Sequence, residues 1–146
     1  MSRHTARIHA LNLVFQFPFH AEWDQALVTE AIDDYLANLQ DLQDLVLGLS
    51  PDEEERSFIA GEVLGTFENM LLIDSLIDKR LKDWDFNRIA KIDLAILRLA
   101  IYEIRFSADI SEATAINEAV ELAKVYGTDD SPSFINGVLG QVVRDG

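Results

Sequence analysis

The chain has 146 residues, of which 49% are apolar, enough for one hydrophobic core and therefore one domain. It contains no cysteine, which excludes disulfides, thiolate catalysis, iron-sulfur clusters and cysteine zinc sites. No apolar run approaches the roughly 18 residues that a membrane span needs, and residues 1–19 lack the order of a secretory signal. We therefore expect a cytoplasmic protein that has no membrane partner.

The formal net charge is −14, and it is distributed unevenly along the chain. Residues 22–78 hold 15 acids and one base, whereas residues 1–21 hold two arginines and no acid. Residues 79–105 hold seven bases and four acids. Because lysine and arginine supply most of the non-specific affinity for phosphate, the first 21 residues and residues 79–105 are predicted to face a nucleic acid. The acidic segment suits a basic partner or serves solubility.

Apolar residues recur at helical spacing from the start of the chain. The first helix is predicted to begin at Thr5, its candidate N-cap, and to close at Pro18. A second amphipathic stripe begins near Asp24 and continues to Leu39. The apolar patch at residues 45–49 follows this second helix.

A long helix is predicted from Ser50 to near Leu81. Ser50, Pro51 and Glu53 combine an N-cap hydroxyl, a proline at the first helical position and a carboxylate at the third. Glu53 also opens a run of three glutamates, which complements the dipole of the helix start. We favour this interpretation of the run over a pair of catalytic carboxylates.

Three more helices are predicted in the second half of the chain. The first begins at Asn87 and is apolar on most sides, so it must be central. The second is capped by Ser111 and ends at Gly127. Ser131 and the proline after it start the last helix. The pattern predicts six or seven helices and no strand.

Arg98 and Glu103 are the charges that interrupt the central helix. Two charges on a nearly apolar helix are costly to bury unless each finds a partner. We therefore interpret them as a structural ion pair or network that includes Asn117 or Glu118, and we prefer this to a functional arginine.

The sequence contains no catalytic or metal-binding constellation that we can identify. His4, His9 and His20 lie within the first 20 residues, but a spacing of five does not put two imidazoles on one helical face. Surface histidines are the favoured interpretation. No glycine-rich phosphate loop, nucleophile elbow or HExxH string occurs. We expect a protein that binds partners, without a metal or another cofactor, rather than an enzyme.

Three strings in the second half carry a family resemblance: residues 97–103 read LRLAIYE, residues 115–127 read AINEAVELAKVYG and residues 131–139 read SPSFINGVL. In this order and at these distances they resemble the NusB family of bacterial transcription antitermination factors. The resemblance implies a single compact all-α domain over residues 1–146. It also implies two helical subdomains, at about residues 5–48 and 50–146.

The resemblance further implies partners. Members of the family bind the boxA element of nascent RNA together with the ribosomal protein NusE, and they help RNA polymerase to read through terminators in ribosomal RNA operons. The same partners are therefore expected here: boxA-type single-stranded RNA, NusE and the RNA polymerase antitermination complex.

The family's RNA contacts suggest site residues in this chain. The resemblance assigns phosphate contacts to Arg3, His4 and Arg7. It assigns base stacking to Phe15 and Phe134, and polar contacts to Asp130 and Ser131. Alternatives from packing remain open, because either phenylalanine can belong to the core and helix capping explains the last two residues without RNA. We expect the two arginines to form a sparse cationic patch free of competing carboxylates.

Two other functions remain open. The thin basic start is also compatible with a protein-interaction or homodimer module that has little RNA binding. The family also resembles the N-terminal part of certain ribosomal RNA cytosine methyltransferases, although no cofactor domain or catalytic cysteine follows here.

Overall fold

The computed structural model describes residues 1–43, 51–82 and 84–145, and the regular structure in these ranges is helical without a strand. The α-helices found there are α1 (Arg3–Val14), α2 (Gln25–Gln43), α3 (Glu53–Glu68), α4 (Met70–Asp78), α5 (Lys91–Phe106), α6 (Glu112–Tyr126) and α7 (Ser131–Arg144). The predicted all-α fold of six to seven helices is confirmed. The apolar patch at residues 45–49 and Ser50 lie outside the described residues. None of the described helices is both long and apolar enough to span a membrane.

The chain divides into two compact units, Met1–Phe67 and Glu68–Gly146. The first unit therefore includes α3. Within this unit the ring of Phe67 lies 5.4 Å from that of Phe17, edge to face. This aromatic contact joins α3 to the turn that follows α1.

Each of the first two helices begins after a polar residue whose side chain accepts a hydrogen bond from a backbone N–H group in the first turn. Ser2 Oγ accepts from the N–H of Thr5 at 3.1 Å, so α1 starts at Arg3 and the prediction of Thr5 as N-cap is wrong. The Asp24 carboxylate accepts from the N–H of Leu27 at 2.9 Å, which confirms the predicted start of α2. Capping by the earlier hydroxyl brings the first arginine into the first helical turn.

The predicted long helix after Ser50 is two helices. Asp52 caps α3, since its carboxylate accepts from the N–H of Glu55 at 2.8 Å while the Glu55 carboxylate accepts from the N–H of Asp52 at 2.9 Å. This reciprocal pair is a capping box. Asn69 separates α3 from α4, because its backbone (φ −106°, ψ 13°) leaves the helical region. A continuous apolar stripe cannot reveal such a break.

In the second unit α5 is the central helix, as predicted, and packs against α4, α6 and α7. Leu97 and Ile101 are fully buried on it. Arg98 is also buried, and its Nε and Nη2 atoms donate to the two carboxylate oxygens of Asp74 at 2.8 Å each. The ion-pair interpretation of Arg98 is confirmed, but its partner is on α4 rather than Asn117 or Glu118.

The last two helices follow the predicted boundaries. Ser111 Oγ accepts from the N–H of Thr114 at 3.1 Å and caps α6. Gly127 follows the end of α6, and α7 begins at Ser131 with a proline in its first turn. These helices pack on each other and on α5, which places the loop between them beside the start of α5.

Candidate RNA interface

The cations at the chain start are not free of carboxylates. Arg3 Nη2 donates to Glu54 Oε1 at 3.1 Å, and its guanidinium lies 4.2 Å from the ring centre of Phe58. Both partners are on the first two turns of α3, which packs beside the start of α1. The expectation of a carboxylate-free patch is therefore wrong, because acids about 50 residues away in the sequence are neighbours in space.

A second acid of α3 lies at the same place. The amino group of Met1 forms an ion pair with Glu55. This group, together with the N–H of Asp52, holds the pKa of the Glu55 carboxyl below its usual range. Glu55 therefore remains ionised at neutral pH, and the chain start carries less positive potential than its own sequence indicates.

The three predicted phosphate contacts differ in exposure. The side chains of Arg3 and His4 are exposed on the first turn of α1. Arg7 is only 4% exposed, and its guanidinium lies 5.6 Å from the Phe58 ring centre. As folded, Arg7 is part of the packing between α1 and α3, and a phosphate cannot reach it without local rearrangement.

Phe15 follows α1 and is neither fully buried nor free. It is half-buried, and its ring centre lies 5.5 Å from that of the exposed Phe19.

The nearby His20 ring stacks parallel to Trp23 at 4.2 Å. Among the described residues, the histidines join no group that could hold a metal ion. His9 is half-buried rather than a surface histidine, and its Nδ1 lies 2.7 Å from the hydroxyl of Tyr35.

Ser131 stabilises the loop before α7 by a hydrogen bond to the backbone of that loop. This residue is 2% exposed, and its Oγ accepts from the N–H of Thr128 at 2.9 Å. A Cβ atom added at Gly127 would lie 2.5 Å from the same oxygen, so only glycine fits there. Asp130 is exposed and makes no capping hydrogen bond. Capping therefore does not explain Asp130, and burial makes Ser131 a residue that shapes the loop.

Phe134 is half-buried on the first turn of α7 and lines two adjacent cavities together with the half-exposed Trp84. The larger cavity, of about 450 Å³, also contacts Lys82 and Arg80. The smaller cavity, of about 270 Å³, also contacts Arg88, Asp93 and Asp130. These two aromatic side chains, which line both cavities, form a surface on which flat rings can pack.

The cations around these cavities differ from those of the chain start. Lys82 and Arg88 are exposed and form no ion pair with any other residue that the structure describes. Arg80, in contrast, is held by Asp145 at 3.0 Å and by the carbonyl of Leu76. The count of charges along the sequence predicts only that residues 79–105, as a whole segment, face a nucleic acid. It did not single out Lys82, Arg88 or Trp84, because periodicity does not show which side chains meet at one cavity.

The predicted site residues thus fall into two groups. Arg3, His4, Arg7 and Phe15 belong to the first unit, and Asp130, Ser131 and Phe134 belong to the second. Within its unit, each group lies on neighbouring turns of one helix or on the loop next to it.

Comparison with known proteins identifies the family. A model of the NusB family matches residues 4–144. The transcription antitermination protein NusB of Agathobacter rectalis is 41% identical over 97% of this chain and 98% of its own length. The NusB protein of Acetivibrio thermocellus is 40% identical over 99% of this chain and 90% of its own.

Solved structures have the same fold. The structure of T. maritima NusB superposes with a TM-score of 0.79 at 30% identity, covering 99% of this chain and 92% of that one. A structure of NusB and NusE in complex with double-stranded RNA has a TM-score of 0.75 and covers both chains fully, at 21% identity. The whole-length matches in sequence and fold agree with the three strings in α5, α6 and α7. The chain therefore belongs to the NusB family of transcription antitermination factors, which are not enzymes.

Proposed function

We propose that this protein binds boxA RNA jointly with the ribosomal protein NusE in the bacterial cytoplasm, and so promotes read-through by RNA polymerase in ribosomal RNA operons. The observation that carries the proposal is the family match over residues 4–144. A related fold solved with NusE and double-stranded RNA supports the choice of partners.

The surface around Phe134 supports single-stranded RNA as the ligand. Single-stranded RNA presents unstacked bases, and aromatic side chains bind them by stacking, at about 1–3 kcal/mol per base. Phe134 and Trp84 offer two such rings beside two cavities. Lys82 and Arg88 supply charge for the adjoining phosphates.

The site residues of the first unit take part in a more limited way. Arg3 and His4 contact phosphate, and Arg3 exchanges Glu54 for the RNA, which is inexpensive because exposed ion pairs contribute about 0–1 kcal/mol. Arg7 packs against Phe58 and so stabilises the position of α1. Phe15 presents its half-buried ring next to Phe19.

The charge balance explains why a partner is needed. With a net charge of −14 and few exposed cations near the site, RNA affinity of the protein alone is low and falls quickly with salt. A basic ribosomal protein suits the acidic residues of the segment 22–78 and adds its own phosphate contacts. Joint binding of RNA by two proteins follows from this shortage of cations.

A titration tests the proposal. Fluorescently labelled boxA RNA and a scrambled RNA of equal length are titrated with the protein, with and without NusE, at several salt concentrations. With NusE present, we expect boxA to bind at least about tenfold more tightly than the scrambled RNA. Without NusE, both affinities should be weak, and the logarithm of affinity should fall with the logarithm of salt by about 0.7 per phosphate contacted.

Two results would contradict the proposal. Equal affinity for boxA and scrambled RNA in the presence of NusE would exclude specific recognition of boxA. Absence of RNA binding combined with self-association at micromolar concentration, measured by sedimentation, would favour the homodimer module instead.

A further inference from the structure

The loop between α6 and α7 is tied to the first residue of α7 by three contacts. Ser131 Oγ accepts from the N–H of Thr128 at 2.9 Å and lies 3.3 Å from the Thr128 hydroxyl. In the opposite direction, the N–H of Ser131 donates to the carbonyl of Thr128 at 3.1 Å. Because Ser131 is only 2% exposed, water competes little for its hydroxyl. Thr128 is therefore fixed relative to the start of α7.

Gly127 bounds the Ser131 side chain on its other side. A Cβ atom added at Gly127 would lie 2.5 Å from both Cβ and Oγ of Ser131, and 2.9 Å from the carbonyl oxygen of Ala123. The N–H of Gly127 donates to that same carbonyl at 2.9 Å. The Ser131 side chain is thus enclosed between the end of α6 and the loop backbone, where its hydroxyl already has a donor.

Residues of this loop line the smaller of the two cavities beside Phe134. Thr128, Asp130 and Ser131 all contact this cavity, and Asp130 is exposed. Asp130 makes no capping hydrogen bond to α7, so its place beside the cavity depends on the backbone of the loop. A hydroxyl that fixes Thr128 relative to Ser131 also fixes the backbone between them, and with it the position of Asp130.

We propose that Ser131 is a positioning residue of the RNA site: its hydroxyl holds the loop in the conformation in which Asp130 contacts the RNA, and it does not touch the RNA itself. This inference rests on the proposed function and deepens it, because the family resemblance gives Ser131 a polar contact of its own. A loop that is already ordered binds more tightly, since no affinity is lost in ordering it.

The size of the effect follows from the population of the ordered loop. Apparent affinity falls in proportion to the fraction of molecules in the binding-competent conformation. Loss of one hydrogen bond changes a conformational equilibrium by about two- to tenfold. We therefore expect Ser131→Ala to weaken the binding of boxA RNA, in the presence of NusE, by about two- to tenfold in a fluorescence titration.

Ser111→Ala is the matched control, because Ser111 makes the same kind of hydrogen bond at the other end of α6. Its Oγ accepts from the N–H of Thr114 at 3.1 Å, and it is not among the described residues that line the two cavities beside Phe134. Each variant should lower Tm by about 2–4 °C. Only Ser131→Ala should weaken RNA binding, and an equal loss in both variants would overturn the proposal.

Amide hydrogen exchange of the protein without RNA separates positioning from direct contact. A positioning hydroxyl protects the N–H of Thr128 in the free protein, so Ser131→Ala should raise the exchange rate of this amide by at least about threefold. Amides in the middle of α7 should keep their rates. If RNA binding weakens while exchange at Thr128 is unaltered, Ser131 contacts the RNA directly and the positioning role is wrong.

A double-mutant cycle identifies the residue through which Ser131 acts. In the Asp130→Ala background, Ser131→Ala should change boxA affinity by less than about 1.5-fold, because the side chain that the loop positions is absent. The charge removed with Asp130 affects both proteins of the compared pair and cancels in the ratio of their affinities. A full two- to tenfold loss in this background would show that Ser131 does not act through Asp130.

Failure of this inference is distinguishable from failure of the proposed function. If the unaltered protein prefers boxA over scrambled RNA but Ser131→Ala binds boxA equally tightly, the positioning role is wrong and the proposed function stands. If the unaltered protein does not prefer boxA, the proposed function fails and this inference fails with it.

Discussion

The two cationic regions of this protein differ in a way that is opposite to their sequences. Residues 1–21 contain arginines and no acid, yet Arg3 is paired with Glu54 and Arg7 is buried. Residues 79–105 mix seven bases with four acids, yet Lys82 and Arg88 form no ion pair within the described part of the chain. Arg3 has no acid near it in the sequence but is paired with an acid in space. Lys82 and Arg88 have acids near them in the sequence but are not paired with any residue that the structure describes.

Helix packing is what brings these charges together. Acids in the first turn of a helix are favoured by its dipole, and in this protein that turn of α3 faces the start of α1. In the second unit, Asp74 on α4 is paired with Arg98. We therefore expect RNA binding to depend more on the surface around Phe134 than on the chain start.

The substitution Phe134→Ala tests this difference between the two regions most directly, and we expect the largest effect from it. Loss of one stacked base should weaken RNA affinity in the presence of NusE by about 1–3 kcal/mol, or roughly five- to 150-fold. Fluorescence anisotropy with labelled boxA RNA measures it. Phe106→Ala is the control, because Phe106 is a partly exposed phenylalanine at the end of α5. Equal affinities of the two variants would show that Phe134 is only a packing residue.

A smaller effect, on stability rather than on binding, is expected for Arg7→Ala. The guanidinium is buried beside Phe58, so its loss should lower the free energy of unfolding by about 1–3 kcal/mol. Urea denaturation measures this change. Arg3→Ala, at an exposed position, should leave the unfolding midpoint nearly unaltered. If Arg7→Ala weakened RNA binding strongly without destabilising the fold, the chain start would be a direct RNA contact after all.

Glu54→Gln should have the smallest effect, and it tests whether the ion pair of Arg3 limits RNA binding at the chain start. Removing the acid that holds Arg3 should raise RNA affinity by up to about fivefold, since the exposed pair contributes about 0–1 kcal/mol. Glu53→Gln changes the net charge equally and sits one residue earlier on α3. An equal rise in both variants would mean that only the overall charge matters and that Arg3 has no specific contact with RNA.

Helix positions were largely predictable, and the errors have a common cause. Asp24 and Ser111 were found as helix starts because each is the polar residue directly before an apolar stripe. The starts of α1 and α3 were misplaced because several capping residues compete there. Ser2 rather than Thr5 caps α1, and Asp52 caps α3. Local propensity does not decide between neighbouring polar residues whose capping energies differ little.

The candidate site was predictable only in part. Phe134 and Asp130 came from the family resemblance, and both line the smaller cavity. Trp84 and Asp93 are not predicted as site residues. Trp84 precedes α5 and Asp93 lies in its first turn, and the pattern of this helix indicates only burial. No spacing rule connects residue 84 with residue 134. Their proximity depends on how α5 and α7 pack together.

The amino-acid sequence alone predicts the helices of the chain, the central position of α5 and the family to which the protein belongs. These properties follow from side chains three or four residues apart and from strings that need no neighbour in space. Two other properties are visible only once the chain is folded: which charges are neutralised, as Arg3 is by Glu54 and Arg98 by Asp74, and which side chains share a cavity. Ion pairs and cavities join residues from distant parts of the chain, and their energies act over a few ångströms of space rather than along the sequence.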